Sequence, residues 1–417
     1  MLLAHKIELR TTATQGEYLR RCCGTGRFVF NQLVAKWKSG EKYNRKAFQK
    51  FCSTLRQATP WMQQVSSRAV YEAADDFHAA ASNFFRTCKN KTGMKWKPPK
   101  FKKRGRNDSC RFSHATQFAV NERSLRVAGL KEQILMRERI RFNGKVKSVT
   151  IKPHCGKWYA SFLVETEEKP RSDSTQKPSV GIDFGISKLA VLSTGEVIEN
   201  PKPLKCSLRK LKRIQRQVSR RYVAGAKRQS HRHDKAARSV ARIHKKVSDR
   251  RAAAQHEFTS DVVKRFSRIT IEDLNVSGLL KNRKLSRAIS DASWTSLRSQ
   301  LEYKSEIAGV VLVVADRFFA SSKTCSDCGH KVEKLRLSQR TFSCPCCGLS
   351  LDRDLNAAIN LDRYKATTPP ITGSRKTDGL DLCKTTDSHV AGSLEAVNIN
   401  LNSKNEGRYQ PSVARVR

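Results

Sequence analysis

Two Cys-x-x-Cys pairs, Cys325/Cys328 and Cys344/Cys347, are separated by fifteen residues in a chain of 417. No other feature constrains the fold as tightly. Zinc takes four soft ligands in a tetrahedron, and each Cys-x-x-Cys turn presents two thiolates at the required separation. Gly329 and Gly348 follow the two pairs and allow tight turns. A closed four-thiolate site is structural and lets a ribbon too small for a core of its own fold. Cys346 leaves one ambiguity, because it could replace Cys344 or Cys347; the Cys-x-x-Cys spacing favours the latter two.

The rest of the chain is strongly basic. Lys and Arg total 82 against 37 Asp and Glu, a formal net charge of +45. Solubility needs far less, so the expected partner is a polyanion, with nucleic acid ahead of an anionic membrane. No apolar run approaches the ~18 residues that span a bilayer, and "MLLAHKIELR" has no signal-like apolar region, so the expectation is a cytoplasmic protein with no membrane partner. In that setting the other nine cysteines read as reduced thiols rather than a disulfide framework. The length allows roughly two to four domains.

Along the chain, "HKIELR" alternates as a strand does, and residues 18–38 and 66–86 read as helices, the second with Val70, Ala74, Phe77 and Ala81 at helical spacing. Between Phe77 and Asn107 there is no acid; within this stretch residues 86–106 hold ten Lys or Arg interleaved with Trp96 and Phe101. "KWKPPKFKKRG" has too much proline and lysine for a helix and reads as an extended basic loop. "KSVTIKP" and "KWYASFLVE" alternate about a turn at 154–156. A polar link at 166–178 marks a domain boundary. Successive strands with a turn at 193–195 follow, then a helical region at 204–251 with 18 Lys or Arg and two acids. "RITIEDL" and "GVVLVVADRFF" read as strands, the second covered on both faces. Beyond residue 365 the composition becomes that of a tail of low order.

Against this background three acids stand out. In "VGIDFG", Val180 and Ile182 share one face of a strand, which puts Asp183 on the other with Gly181 and Gly185, where glycines would let a large polyanion come close. In "ITIEDL", Thr270 and Glu272 share a face. Asp354 precedes "LNAAIN", a good helix start. Two strand-borne acids and one at a helix start can converge. Phosphodiester hydrolysis needs charge stabilisation on the attacking and leaving oxygens, which two Mg²⁺ ions held by hard oxygen ligands provide. Taken singly, Asp183 also reads as a turn residue, Glu272 as an exposed strand charge and Asp354 as a helix N-cap.

The stretches "GIDFGISKLAVLSTGEVIENP", "IEDLNVSGLLKNRKLSRAISDASW", "LEYKSEIAG", "FFASSKTCSDCG" and "CGLSLDRDLNAAINL" resemble, in order and spacing, the TnpB family, transposon-encoded RNA-guided DNA endonucleases also labelled OrfB transposases and related to type V CRISPR effectors. The resemblance runs from about residue 7 to 363. It implies a multidomain α+β chain with an RNase H-like (RuvC) α/β nuclease domain, a zinc ribbon inserted in it, and an N-terminal β-rich wedge domain with a helical recognition domain inserted. The implied boundaries are 1–17 and 109–177 for the wedge, 18–108 for the recognition domain and basic loop, 178–319 for RuvC motifs I and II, 320–350 for the ribbon, 351–365 for motif III and 366–417 for the tail. Carried over by position, Asp183, Glu272 and Asp354 are the catalytic acids and Mg²⁺ ligands, with Asp352 beside them in the third motif. The implied partners are a guide RNA from the transposon end, bound by a monomer, and double-stranded target DNA cut beside a short target-adjacent motif. Gln64, Ser67 and Tyr71 are candidates for reading that duplex, with a solvent-facing helix surface as the bland alternative. Ala320 stands where the family often has proline.

The basic stretches fit guide RNA and guide–target heteroduplex, recognised through shape and phosphates. Lys100, Lys102, Lys103 and Arg104 are expected to set affinity and its salt dependence. Three rival readings remain open: a strand-joining transposase, a miniature type V CRISPR effector, and a nucleic-acid-binding regulator without activity.

Overall fold

The computed structural model describes residues 2–41, 44–89, 97–166, 177–226, 228–336 and 338–365. Trp96, nearly all of the polar link and the 366–417 tail lie outside them. The chain divides into two units, Met1–Glu168 and Lys169–Arg417, a division inside the polar link. No helix among the described residues is long and apolar enough to cross a membrane.

In the first unit, β1 (Leu2–Arg10) is followed by α1 (Ala13–Lys38), α2 (Arg45–Ala58) and α3 (Arg68–Lys89). Thr12 and Gln15 close a capping box that fixes where α1 begins. Six strands come next: β2 (Cys110–Phe112), β3 (Phe118–Asn121), β4 (Ser124–Val127), β5 (Ile134–Met136), β6 (Lys145–His154) and β7 (Lys157–Glu165). They form one seven-stranded sheet ordered β2-β6-β7-β1-β5-β4-β3. The first strand is therefore central, antiparallel to β7 from Leu2↔Glu165 to Leu9↔Trp158. Its inward residues Ile7 and Leu9 join Leu19, Phe112, Ile151 and Phe162 in one core. Val70, Ala74, Phe77 and Ala81 of α3 are buried against Phe30, Leu33 and Phe48 in a second.

The second unit has β8 (Ser179–Phe184), β9 (Lys188–Leu192) and β10 (Val197–Glu199), then α4 (Pro203–Arg221) and α5 (His231–Arg265). The basic region is thus two helices that pack on each other, with a break that includes Gly225 at φ +76°. β11 (Arg268–Glu272) leads through α6 (Val276–Leu279), α7 (Ser286–Ala292) and α8 (Trp294–Ala308) to β12 (Val311–Ala315). The sheet order is β10-β9-β8-β11-β12. β8 pairs antiparallel with β9 and parallel with β11, which pairs parallel with β12. The ribbon strands β13 (Thr341–Ser343) and β14 (Ser350–Asp352) and helix α9 (Arg353–Asp362) complete the unit.

Strand alternation assigns each face of this sheet its cover. Val180, Ile182, Ile269 and Ile271 pack with Phe258 and Val262 of α5 and Leu297 and Leu301 of α8. Gly181 faces the other way, onto α9. A Cβ there would lie 2.0 Å from the Ala358 carbonyl oxygen and 2.4 Å from the Asp362 nitrogen. The expectation that Gly181 and Gly185 leave room for a polyanion is thereby corrected. Gly181 admits a helix backbone, and a Cβ on Gly185 would meet the Lys188 carbonyl at 2.8 Å. Ala357 and Ala358, almost fully buried, complete the close approach from the helix side. Gly181→Ala should therefore destabilise the unit by at least about 1–3 kcal/mol through overpacking, read as a lower denaturation midpoint in urea.

Candidate metal centre and carboxylate site

The ribbon is built from two matching turns. Gly329 and Gly348 have φ of +75° and +76°, a region an L residue enters only with strain. In the first turn, Gly329 N–H donates to the Cys325 carbonyl and Cys325 N–H to His330; in the second, Gly348 donates to Cys344 and Cys344 to Leu349. The Cys325 and Cys347 sulfurs lie 3.6 Å apart, and those of Cys328 and Cys344 3.5 Å apart. Zn–S bonds of about 2.3 Å at tetrahedral angles put sulfurs about 3.8 Å apart, so the cluster fits zinc. All four donors lie within 4.8 Å of one another, and Cys346 is exposed and outside the group.

The three acids meet at one edge of the sheet. The β8–β11 register places Thr270 beside Gly181 and Ile271 beside Ile182, so one step further Glu272 and Asp183 are neighbours at the carboxyl ends of parallel strands. Both share the face of Gly181, and α9 crosses that face with its C-terminal turn over Gly181. Its N-terminal turn then carries Asp354 towards the two strand acids. Burial pushes the Asp183 carboxyl well above its usual range, and the charges of Glu272 and Asp354 push it further. Glu272 is raised by burial and by Asp354, against a hydrogen bond from Ser321. Among the described residues neither Asp183 nor Glu272 has an ion-pair partner, whereas the adjacent Asp273 takes Arg298 at 2.6 Å and Arg317 at 2.7 Å. An oxygen-only set, partly buried and short of positive charge, fits a hard divalent cation. The three carboxylates are nonetheless more open than the cysteine cluster, the only group of three or more such side chains among the described residues with all donors within 4.8 Å.

The helix cap belongs to Asp352, not Asp354. Its side chain accepts from the Asp354 and Leu355 N–H groups at 2.8 and 3.2 Å. Against the upward push of partial burial, these bonds and Lys188 at 3.3 Å hold its carboxyl below the usual range. Asp352 is thus spent on the helix end, and the Asp354 carboxylate, with Arg353 no nearer than 4.0 Å, stays available. Sequence reading missed Ser321, Asn356 and Asn360. Ser321 Oγ donates to Glu272 at 2.6 Å, and the asparagine amides bond the backbone at 321–326. Asparagines four apart in "NAAIN" were the available signal.

The nucleic-acid candidates differ in exposure and surroundings. Lys100, Lys103 and Arg104 are exposed. Lys102 is partly buried and already has partners within the protein. Its Nζ lies 3.5 Å from Asp76 and 4.0 Å from the Phe30 ring centre, and its backbone exchanges two hydrogen bonds with Asn31. Gln64 accepts from Arg21 and lines an open groove with Trp61 and Phe28. That groove does not include Ser67 or Tyr71, which are partly buried near the start of α3.

Two outcomes follow from this geometry. Cys328→Ser should lose stoichiometric zinc, measured by elemental analysis, and unfold the ribbon, seen as new protease cleavage between residues 320 and 350. Asp183→Asn removes a partly buried carboxylate that has no ion-pair partner among the described residues. A raised carboxyl pKa costs stability as pH climbs through it, so at neutral pH the variant should melt about 2–4 °C higher, a gain of about 1 kcal/mol.

Residues 161–283 match the family described as "Probable transposase" of the OrfB type, 294–361 match "Cas12f1-like, TNB domain", and 1–46 match a "Helix-turn-helix domain". That last span holds β1, α1 and the first two residues of α2. A "Putative RNA-guided DNA endonuclease" of Streptomyces pristinaespiralis is 35% identical over 86% of this chain and 88% of its own length. The "Putative RNA-guided DNA endonuclease InsQ" of Escherichia coli K12 is 32% identical over 86% of this chain and 91% of its own. The "CRISPR-associated endodeoxyribonuclease Cas12f1" of Sulfoacidibacillus thermotolerans is 25% identical over 49% of this chain. The chain belongs to the OrfB/TnpB family, whose curated relatives are named as RNA-guided DNA endonucleases.

Proposed function

We propose that this protein is an RNA-guided DNA endonuclease of a transposable element, in which Asp183, Glu272 and Asp354 would hold divalent cations, Mg²⁺ in the cell, for hydrolysis of a target phosphodiester by water. One observation carries the reading: two acids at the carboxyl ends of neighbouring parallel strands and a third on the helix above them, repelling one another, with Arg353 at 4.0 Å from Asp354 the one basic group that ion-pairs with any of the three among the described residues, in a chain of net +45. The sheet order β10-β9-β8-β11-β12, three antiparallel strands followed by two parallel ones, supports an RNase H-like (RuvC) domain. The close sequence relatives, matched over most of their length, support the guide RNA and the DNA target.

The residues divide the work. The three carboxylates would bind the cations and fix them against the sheet edge. When bound, those ions stabilise charge on the attacking and leaving oxygens and lower the pKa of water. Asp273 keeps Arg298 and Arg317 off Glu272, and Lys188 holds Asp352 to its cap. The Lys- and Arg-rich helices α4 and α5, with Lys100, Lys103 and Arg104, bind guide RNA and heteroduplex through phosphates. Zinc at Cys325, Cys328, Cys344 and Cys347 holds the ribbon. Gln64, Ser67 and Tyr71 remain candidates for the target-adjacent motif. The working unit is a monomer with its RNA.

The test begins with expression of the gene with its native downstream flank and sequencing of the RNA that co-purifies. A discrete RNA supplies the target for a cleavage assay. Asp354→Ala should then reduce cleavage at least about a hundredfold while retaining the RNA. Cleavage by that variant at the parental rate would overturn the catalytic assignment, and a smear of cellular RNA would overturn the guide.

A further inference from the structure

Glu272 sits at the end of β11, where the strand stops and nothing in the strand itself fixes its carboxylate. Asp273 turns into its two arginines, and the partner Glu272 keeps is the Ser321 hydroxyl, at 2.6 Å to Oε1. Ser321 is 4% exposed, so this bond forms away from bulk water. The serine is tied on its other side as well. Its carbonyl accepts from the Asn360 amide at 2.8 Å, and Asn360 donates its second hydrogen to the Thr324 carbonyl at 2.7 Å. Asn356 donates to the same carbonyl at 2.7 Å and accepts from Ser326 N–H at 2.9 Å, while Arg363 donates to the Ser326 carbonyl. Cys325, a ribbon thiol, lies between Thr324 and Ser326 and is held by both.

The bonds close a circuit. It runs from Glu272 through Ser321 to Asn360, and along α9 to Asp354. The same short segment thus fixes one strand acid and the helix that bears the third acid, and its far end is the first ligand of the cysteine cluster. A hydroxyl suits the position chemically. It satisfies one lone pair of the carboxylate and adds no charge, so Oε2 and the full negative charge remain for a cation, whereas a lysine or arginine there would neutralise the ligand.

We infer that Ser321 is a positioning residue for Glu272, and that through it the base of the ribbon sets the cation affinity of the carboxylate trio; this rests on the function proposed above. The arrangement makes a distinct demand on kinetics. Loss of the hydroxyl leaves all three ligands present but frees one to rotate, which weakens cation binding more than it slows the loaded enzyme.

The experiment uses the full-length chain. Mn²⁺ binding is titrated by electron paramagnetic resonance on protein freed of RNA, and the Mg²⁺ concentration for half-maximal guided cleavage is measured on the RNA complex. Ser321→Ala should raise the Mn²⁺ Kd and the half-saturating Mg²⁺ by about tenfold or more, with the cleavage rate at saturating Mg²⁺ within about threefold of the parent. Asn360→Ala, which cuts the circuit on its other side, and Cys347→Ser, which opens the cluster, should shift the Mn²⁺ Kd in the same direction. Parental Mn²⁺ affinity in Ser321→Ala would overturn the inference alone. Mn²⁺ binding that Asp183→Asn leaves unchanged would overturn the cation site of the proposed function, and this inference with it.

Discussion

The second unit depends on how closely one helix lies on one strand. At Gly181 the backbone of α9 approaches β8 to a distance that no side chain larger than hydrogen permits. That contact sets the height of the helix over the sheet, and the helix start then delivers Asp354 to the edge where β8 and β11 present Asp183 and Glu272. Packing density rather than any polar bond makes the three acids neighbours. The polar bonds come afterwards: Asp352 caps the helix, and Asn356 and Asn360 secure the loop that arrives from the ribbon.

Electrostatics works against this arrangement in the empty protein. Burial and like charge raise Asp183 and Glu272 together, a cost that structural ion pairs elsewhere in the chain avoid. Arg27–Asp108, Arg111–Glu72 and Arg251–Asp291 show that the chain has basic groups to spare and places them on other acids. Withholding them from the sheet edge concentrates negative potential at one spot on a strongly positive molecule. A polyanion drawn in by the surrounding charge meets there a site that only a cation can make hospitable.

Much of this was legible in the sequence because its signals are local. Strand alternation gave the faces of Asp183 and Glu272, Cys-x-x-Cys spacing gave the cluster, and helical spacing gave the buried side of α3. Relations between distant segments were hidden. Gly181 reads as a gap for a ligand until the helix 177 residues downstream is seen to fill it. Lys102 counts as one of ten basic residues until Asp76 and Phe30 are found around it. Asp352 and Asp354 look interchangeable in "LDRDL", and only the cap geometry separates the spent carboxylate from the available one. Ser321 lies in a quoted motif, yet its partner is 49 positions away.

The central place of β1 in the first unit has a consequence for how the protein is made. β1 lies between β7 and β5, so it has no neighbour in the sheet until Leu135 has been synthesised and no second one until Trp158. In the interval the local helices α1–α3 form, since their contacts are close in sequence. The strand waits meanwhile as an unpaired edge. The sheet closes in one late, long-range step, and until then the nascent chain carries a free strand that must be kept from other strands.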